Sequence, residues 1–130
     1  MLKIKMKRDK FSFKSRLGSF KFAFKGLVLL LKNEHNARIH LVLAIVAITT
    51  GMLLNINAFE WSLIVIVIGI VFLTELLNTS IETLADIVQP EWNEKIRMAK
   101  DYSAAAVLIS AIISIIVGGI IFIPKILNLF

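Results

Sequence analysis

The stretch WSLIVIVIGIVFLTELLNTSIETLAD, residues 61–86, decides how this chain is read. It opens as an apolar run from Trp61 to Leu73 and then carries three carboxylates out of that run. Read as a helix, Glu75, Asn78, Glu82 and Asp86 are spaced i, i+3, i+7 and i+11, which puts all four on one stripe. Glu75 and Glu82 then stand two turns, roughly 10 Å, apart along the axis. An ionisable residue inside a membrane-grade run is costly to keep and marks a functional site by default. The plainer reading is that these acids pair with neighbouring helices or lie past the membrane edge. Asn78 and two Glu on one face leave little apolar surface for ordinary packing, which favours the functional reading.

Composition sets the class. The chain has 130 residues, of which 58% are hydrophobic, and a mean hydropathy of +0.83, far above that of a soluble domain. There is no cysteine, so disulfides and thiolate-bound metals are excluded. The net charge of +6 is uneven: residues 1–40 carry 11 Lys and Arg against 2 acids, and residues 41–130 carry 4 against 7. A basic arm beside membrane spans is expected to meet anionic lipid at the membrane surface, with no nucleic-acid partner.

Residues 1–10 form a short basic tail. Phe13, Leu17, Phe20, Phe24, Leu27 and Leu31 follow at steps of 4, 3, 4, 3 and 4, one helix face, while Lys14, Lys21, Lys25 and Lys32 mark another. The pattern predicts an amphipathic interfacial helix over 12–32. It does not fit a signal peptide, because the basic region is too long and no cleavage site follows an apolar core of the right length. His35 and His40 are five apart and do not share a helix face, which excludes them as a paired metal site; a hydrogen-bonding role at the membrane surface is expected instead. Glu34, the one acid between Asp9 and Glu60, sits among cations at the entry to the first span.

Three spans are predicted within a single membrane domain, at 34–55, 60–89 and 101–124, the second with a cytoplasmic extension. Asn55 to Ala58 reads as a tight turn, and Trp61 stands at interfacial depth. Pro90 should end the second helix and open a polar connection through Arg97. In the third span Ala106, Ser110, Ser114 and Gly118 recur every four residues, a small-residue ridge suited to close packing in lipid. The basic residues lie in the N-terminal arm and at Lys95, Arg97 and Lys100, so the positive-inside rule places these segments in the cytoplasm and the C-terminus outside. Glu34, Glu75, Glu82, Lys100 and Asp101 then converge near the cytoplasmic face.

That cluster has the make-up of a metal–nucleotide site. Mg²⁺ takes oxygen ligands, commonly one or two carboxylates plus substrate phosphates. Glu34 and Glu82 could supply the carboxylates, and Lys100 a point charge on phosphate. Glu75 lies nearest the apolar zone, where desolvation disfavours its charged form, a condition that suits a general base. Its natural partner is the hydroxyl of a lipid at the same depth. Phosphoryl transfer needs mainly positioning and charge stabilisation, which a small protein can supply.

Glu75-Leu-Leu-Asn78-Thr-Ser-Ile-Glu82, with Asp86 four residues on and Lys100-Asp101-Tyr-Ser-Ala-Ala-Ala-Val107 downstream, resembles the prokaryotic diacylglycerol kinase family, which includes undecaprenol kinases. The resemblance covers about residues 20–124 and takes in Lys25-Gly26 and Asn33-Glu34. It implies an all-α homotrimer, each subunit with a surface helix and three spans, and active sites shared between subunits. It also implies ATP and Mg²⁺, with Glu75 as catalytic base contacting the substrate, Asn78 in a supporting catalytic role, and Glu34 and Glu82 as metal ligands that also meet the nucleotide. Phe22, Glu91, Trp92, Asn93, Lys100 and Asp101 match nucleotide-contacting positions, and Ala104 a substrate contact. Three departures stand out: Ser103-Ala104 where the diacylglycerol branch often has Gly-Ser, Phe22 at an aromatic position without a donor group, and Arg16 one residue away from the N-terminal arginine of that branch. The ending Phe122-Ile-Pro-Lys125 is closer to the undecaprenol branch.

The implied activity is transfer of the ATP γ-phosphate to a lipid alcohol, undecaprenol first and diacylglycerol as the alternative. The remaining rival is a non-enzymatic membrane subunit whose carboxylates conduct ions. An ion path would spread ionisable groups through the bilayer. Here they gather at one face, and no charge lies between Tyr102 and Pro124.

Overall fold

A computed structural model describes residues 11–130, which form four α-helices: α1 (Phe13–Asn33), α2 (His35–Leu53), α3 (Ala58–Val88) and α4 (Glu94–Leu127). The basic tail 1–10 lies outside the described residues. Helices α2, α3 and α4 are each long and apolar enough to cross a membrane. An all-helical chain is what lipid demands, since a helix satisfies its backbone hydrogen bonds within one segment. The four helices agree with a membrane helical bundle.

Local chemistry sets the boundaries. At the α2–α3 turn Asn55 takes φ 48°, a left-handed conformation that Asn tolerates better than most residues. Asn57 and Glu60 then form a reciprocal cap on α3: Glu60 N donates to Asn57 Oδ1 at 2.9 Å, and Asn57 N donates to Glu60 Oε2 at 2.8 Å. Helix α3 ends at Val88, because Pro90 disfavours helical backbone at Gln89.

Helix α4 starts at Glu94, seven residues ahead of the predicted third span. Asn93 Oδ1 accepts from Lys95 N at 3.0 Å and Ile96 N at 3.2 Å, a cap strong enough to start a helix inside the expected polar connection. It also runs past Pro124 to Leu127, since a proline in the last turn removes only one helical hydrogen bond.

Helix α3 packs mainly on α4. Its buried seam is Ile64, Val67, Val71 and Glu75, at steps of 3, 4 and 4. On α4 the buried positions are Ser103, Ser110 and Ile121, and Thr74 Oγ1 lies 2.9 Å from Ser110 Oγ across the contact. The predicted small-residue ridge is used in part: Ser110 is buried, Ser114 and Gly118 are half-buried, and Ala106 faces outward. Two hydroxyls that bond each other and the preceding turn turn the helix so that Ser103 and Ser110 share the seam instead.

At the far end of the bundle Ile56, Ile64 and Ile121 form a core closed by Trp61 and Phe122, and Lys125 Nζ meets Glu60 Oε2 at 3.2 Å. Gly51 sits under this core. A Cβ there would stand 3.0 Å from Ile56 Cδ1 and from the Trp61 ring. Gly51→Val is therefore expected to destabilise the fold by about 1–3 kcal/mol, the usual cost of overpacking, with Gly51→Ala at the low end. Thermal unfolding in detergent checks it; a Val variant as stable as the wild type would mean that α2 can move away freely.

Helix α1 is anchored by its last turns, where Leu30 is its one buried residue. Phe13, Leu17, Phe20 and Phe24 are exposed. The chain turns at Glu34, and Arg38 of α2 reaches back to cap α1: its Nε donates to Leu31 O at 2.8 Å and its Nη2 to Lys32 O at 2.5 Å. A cation on the last carbonyls of a helix satisfies groups that have no partner within it.

Candidate active site

The start of α2, the second half of α3 and the start of α4 meet at one end of the bundle. Glu75 is the deepest polar group there, with 2% of its surface exposed. It is buried because it continues the Ile64–Val67–Val71 seam by one more turn. His40 of α2 faces it, with Nε2 3.1 Å from Glu75 Oε1. The approach is within ion-pair reach yet out of line for a hydrogen bond, so Oε1 remains unsatisfied. Glu34 and Glu82 lie near enough for their charges to act on the Glu75 carboxylate.

One turn further along, Asn78 is half-buried, and its Oδ1 accepts from Ser103 Oγ of α4 at 2.7 Å. The same hydroxyl lies 2.8 Å from the Lys100 carbonyl oxygen. Ser103 thus ties the amide of Asn78 to the first turns of α4. Two turns beyond Asn78, Asp86 pairs with Lys100. Three members of the predicted stripe, Glu75, Asn78 and Asp86, therefore face partners on α2 and α4, while Glu82 is half-buried between them. Arg97 Nε lies 3.3 Å from Asp101 Oδ1 within the exposed first turns of α4.

The other predicted positions are dispersed. Glu91 and Trp92 lie exposed in the α3–α4 connection, and Asn93 uses its side-chain oxygen to cap α4. Phe22 is exposed on α1 and Ala104 on α4. Among the described residues no three His, Asp or Glu side chains form a metal cage. Glu34 and Glu82 are carboxylates, the oxygen donors taken by a hard cation that completes its shell with phosphate and water, so they fit Mg²⁺ by donor chemistry.

Three contributors escaped the sequence reading: His40, Ser103 and Arg38. The rejection of His35 and His40 as a metal pair left His40 without an assigned partner. Its signal was its place, since a polar residue a turn and a half into the first span is itself unusual.

Two cavities flank this end. One, of about 370 Å³, runs between α2, α3 and α4 from His40 past Ala44, Val71 and Ser114 to Phe122 and Ile126, and its walls are mostly aliphatic. The other, about 360 Å³, lies between α1 and α3 and is lined by Gly26, Leu30 and Asn33 opposite Thr79, Ser80 and Thr83.

Fold and site together define a small polytopic helical membrane protein with a cluster of carboxylates at one end of its bundle. The profile of the prokaryotic diacylglycerol kinase family matches residues 21–122. The chain is 36% identical over 107 residues to an undecaprenol kinase of Bacillus subtilis, covering 82% of this chain and 87% of that one. It is 35% identical over 114 residues to a diacylglycerol kinase of Synechocystis, covering 87% of this chain and 65% of that longer protein. A diacylglycerol kinase of Escherichia coli is 32% identical over 95 residues, covering 73% of this chain and 78% of that protein. The chain belongs to the prokaryotic diacylglycerol kinase family. It is by that membership a bacterial membrane protein and a lipid kinase, a phosphotransferase.

Proposed function

We propose that this protein transfers the γ-phosphate of ATP to the hydroxyl of a membrane lipid alcohol, undecaprenol in preference to diacylglycerol, with Glu75 as general base. The observation that carries the reading is the placement of Glu75. It is buried and incompletely satisfied, and it touches His40, which lines an apolar cavity between three membrane-length helices. A lipid whose tail follows that cavity brings its hydroxyl to the Glu75 carboxylate. Glu75 takes the hydroxyl proton as the oxygen bonds to the γ-phosphorus, and the bond from that phosphorus to the bridging oxygen breaks, leaving ADP.

Glu34 and Glu82 are the residues that would hold Mg²⁺, which when bound neutralises phosphate charge. Asn78, fixed by Ser103, supports the catalytic end. The nucleotide is met by Glu34, Glu82, Glu91, Trp92, Asn93, Lys100, Asp101 and Phe22, all on segments placed in the cytoplasm by the distribution of Lys and Arg. Lys100 is held ready by Asp86. The exposed apolar face of α1 lies in the anionic membrane surface, and the working unit is a homotrimer whose subunits complete one another's sites.

The preference for undecaprenol rests on the Phe122–Lys125 ending, which places Phe122 in the cavity wall, and on the likeness to the Bacillus subtilis protein. The diacylglycerol alternative rests on the likeness to the Synechocystis protein. Purified protein in mixed micelles with Mg²⁺ and γ-labelled ATP should phosphorylate undecaprenol faster than diacylglycerol. Faster transfer to diacylglycerol would reverse the assignment, and transfer to neither by folded protein would remove the kinase reading.

A further inference from the structure

The Glu75 carboxylate has few neighbours able to set its orientation. Thr74, the residue before it, turns its hydroxyl to Val71 O and Ser110 Oγ, both at 2.9 Å. Asn78, one turn on, is held by Ser103. Glu34 and Glu82 carry the same charge as Glu75 and repel it. His40 is the polar side chain in contact, 3.1 Å from Oε1, with 17% of its own side chain exposed against 2% for Glu75. Its backbone lies on α2, so it approaches from a different helix and does not move with α3. His40 also lines the apolar cavity between α2, α3 and α4, so one side chain touches both the cavity and the carboxylate.

A buried carboxylate oxygen without a donor is costly, and one off-line donor within reach can improve that situation by a small rotation. An imidazole can supply an N–H from Nε2 in one neutral tautomer as well as in the protonated form. From this geometry we infer that His40 is a positioning residue for phosphoryl transfer. It holds Glu75 by Oε1 from across the α2–α3 contact and leaves the second oxygen for the proton of the lipid hydroxyl. The inference rests on the reading of Glu75 as the base. In exchange for that orientation the site keeps an imidazole among aliphatic side chains, at the level where the hydroxyl and the hydrocarbon tail of the acceptor meet.

The atom involved makes the role testable. A glutamine places its amide nitrogen where Nε2 stands, whereas an asparagine places its own near Nδ1 and falls short. Wild type, His40→Gln, His40→Asn and His40→Ala are compared for kcat and for the KM of MgATP in mixed micelles, with thermal unfolding of each in detergent. His40→Ala and His40→Asn should lower kcat by about 10- to 100-fold, the scale on which a misplacement of about 1 Å acts, with the KM of MgATP within twofold. His40→Gln should recover most of that loss. In a Glu75→Gln background, His40→Ala should cause no further fall in the residual rate, because His40 acts through Glu75.

Equal losses in the Gln and Asn variants, which differ little in size, would assign His40 to packing and overturn the inference. So would a loss in KM alone, or a His40 effect of full size without Glu75. Where His40→Ala does not fold, the Gln and Asn pair decides. Absence of transfer by the wild type sinks the kinase reading itself. Normal transfer by the wild type and by His40→Asn sinks the positioning role alone.

Discussion

Glu75→Gln is expected to lower lipid phosphorylation by about 10²- to 10⁴-fold, the usual contribution of a general base, or roughly 3–5 kcal/mol of transition-state stabilisation. The substitution keeps the shape of the side chain and removes its ability to take a proton. Its effect on the fold should run the other way. Glu75 is almost fully buried between apolar turns, beside the charges of Glu34 and Glu82. A neutral amide in its place removes that repulsion and the desolvation of a carboxylate, so detergent unfolding should be unchanged or higher in temperature. Turnover and melting are measured on the same purified preparation. Wild-type turnover in the variant would remove Glu75 as the base. A collapse of stability would instead mean that the carboxylate holds α2 to α3 through His40.

The second large effect is expected at Glu34 and Glu82. Each Gln substitution should raise the Mg²⁺ concentration for half-maximal rate by at least about tenfold, since even groups that merely support a metal ligand cost 10- to 100-fold in affinity when lost. The structure makes Glu34 a clean test. It is the corner between α1 and α2, but it is its backbone that holds the corner, through the bond from its N–H to Leu30 O at 2.9 Å, and its side chain caps neither helix. Glu34→Gln leaves the corner and the Arg38 cap intact. Titration of Mg²⁺ at fixed ATP reads the effect, and unchanged Mg²⁺ dependence in both variants would count against both as ligands.

Much of this arrangement was legible before the fold. The stripe of Glu75, Asn78, Glu82 and Asp86 follows from helical spacing, and the structure gives Glu75, Asn78 and Asp86 partners on α2 and α4 at one end of the bundle. Helix α4 starts ahead of its apolar run for a specific reason. Charge and polarity between Gln89 and Arg97 looked like a loop, but a single cap at Asn93 is enough to begin a helix in water that later enters the apolar zone. The direction Ala106 faces was not legible, because small size says a residue can pack closely and not which way it points; the hydroxyls of Ser103 and Ser110 lie on the α3 side.

By itself the sequence determined the number of membrane-length helices, their all-α character and the family to which the Glu75–Asp86 stripe points. Those properties depend on hydrophobic run length, on the need to satisfy backbone groups in lipid, and on residue spacing along one helix, all of which are local. Only the tertiary structure decided that His40 meets Glu75, that Ser103 meets Asn78, that Lys100 meets Asp86 and that Arg38 caps α1. Such pairs depend on how far each helix is rotated and shifted against the next. That is set by the summed packing of whole helix faces, and no local pattern in the chain records it.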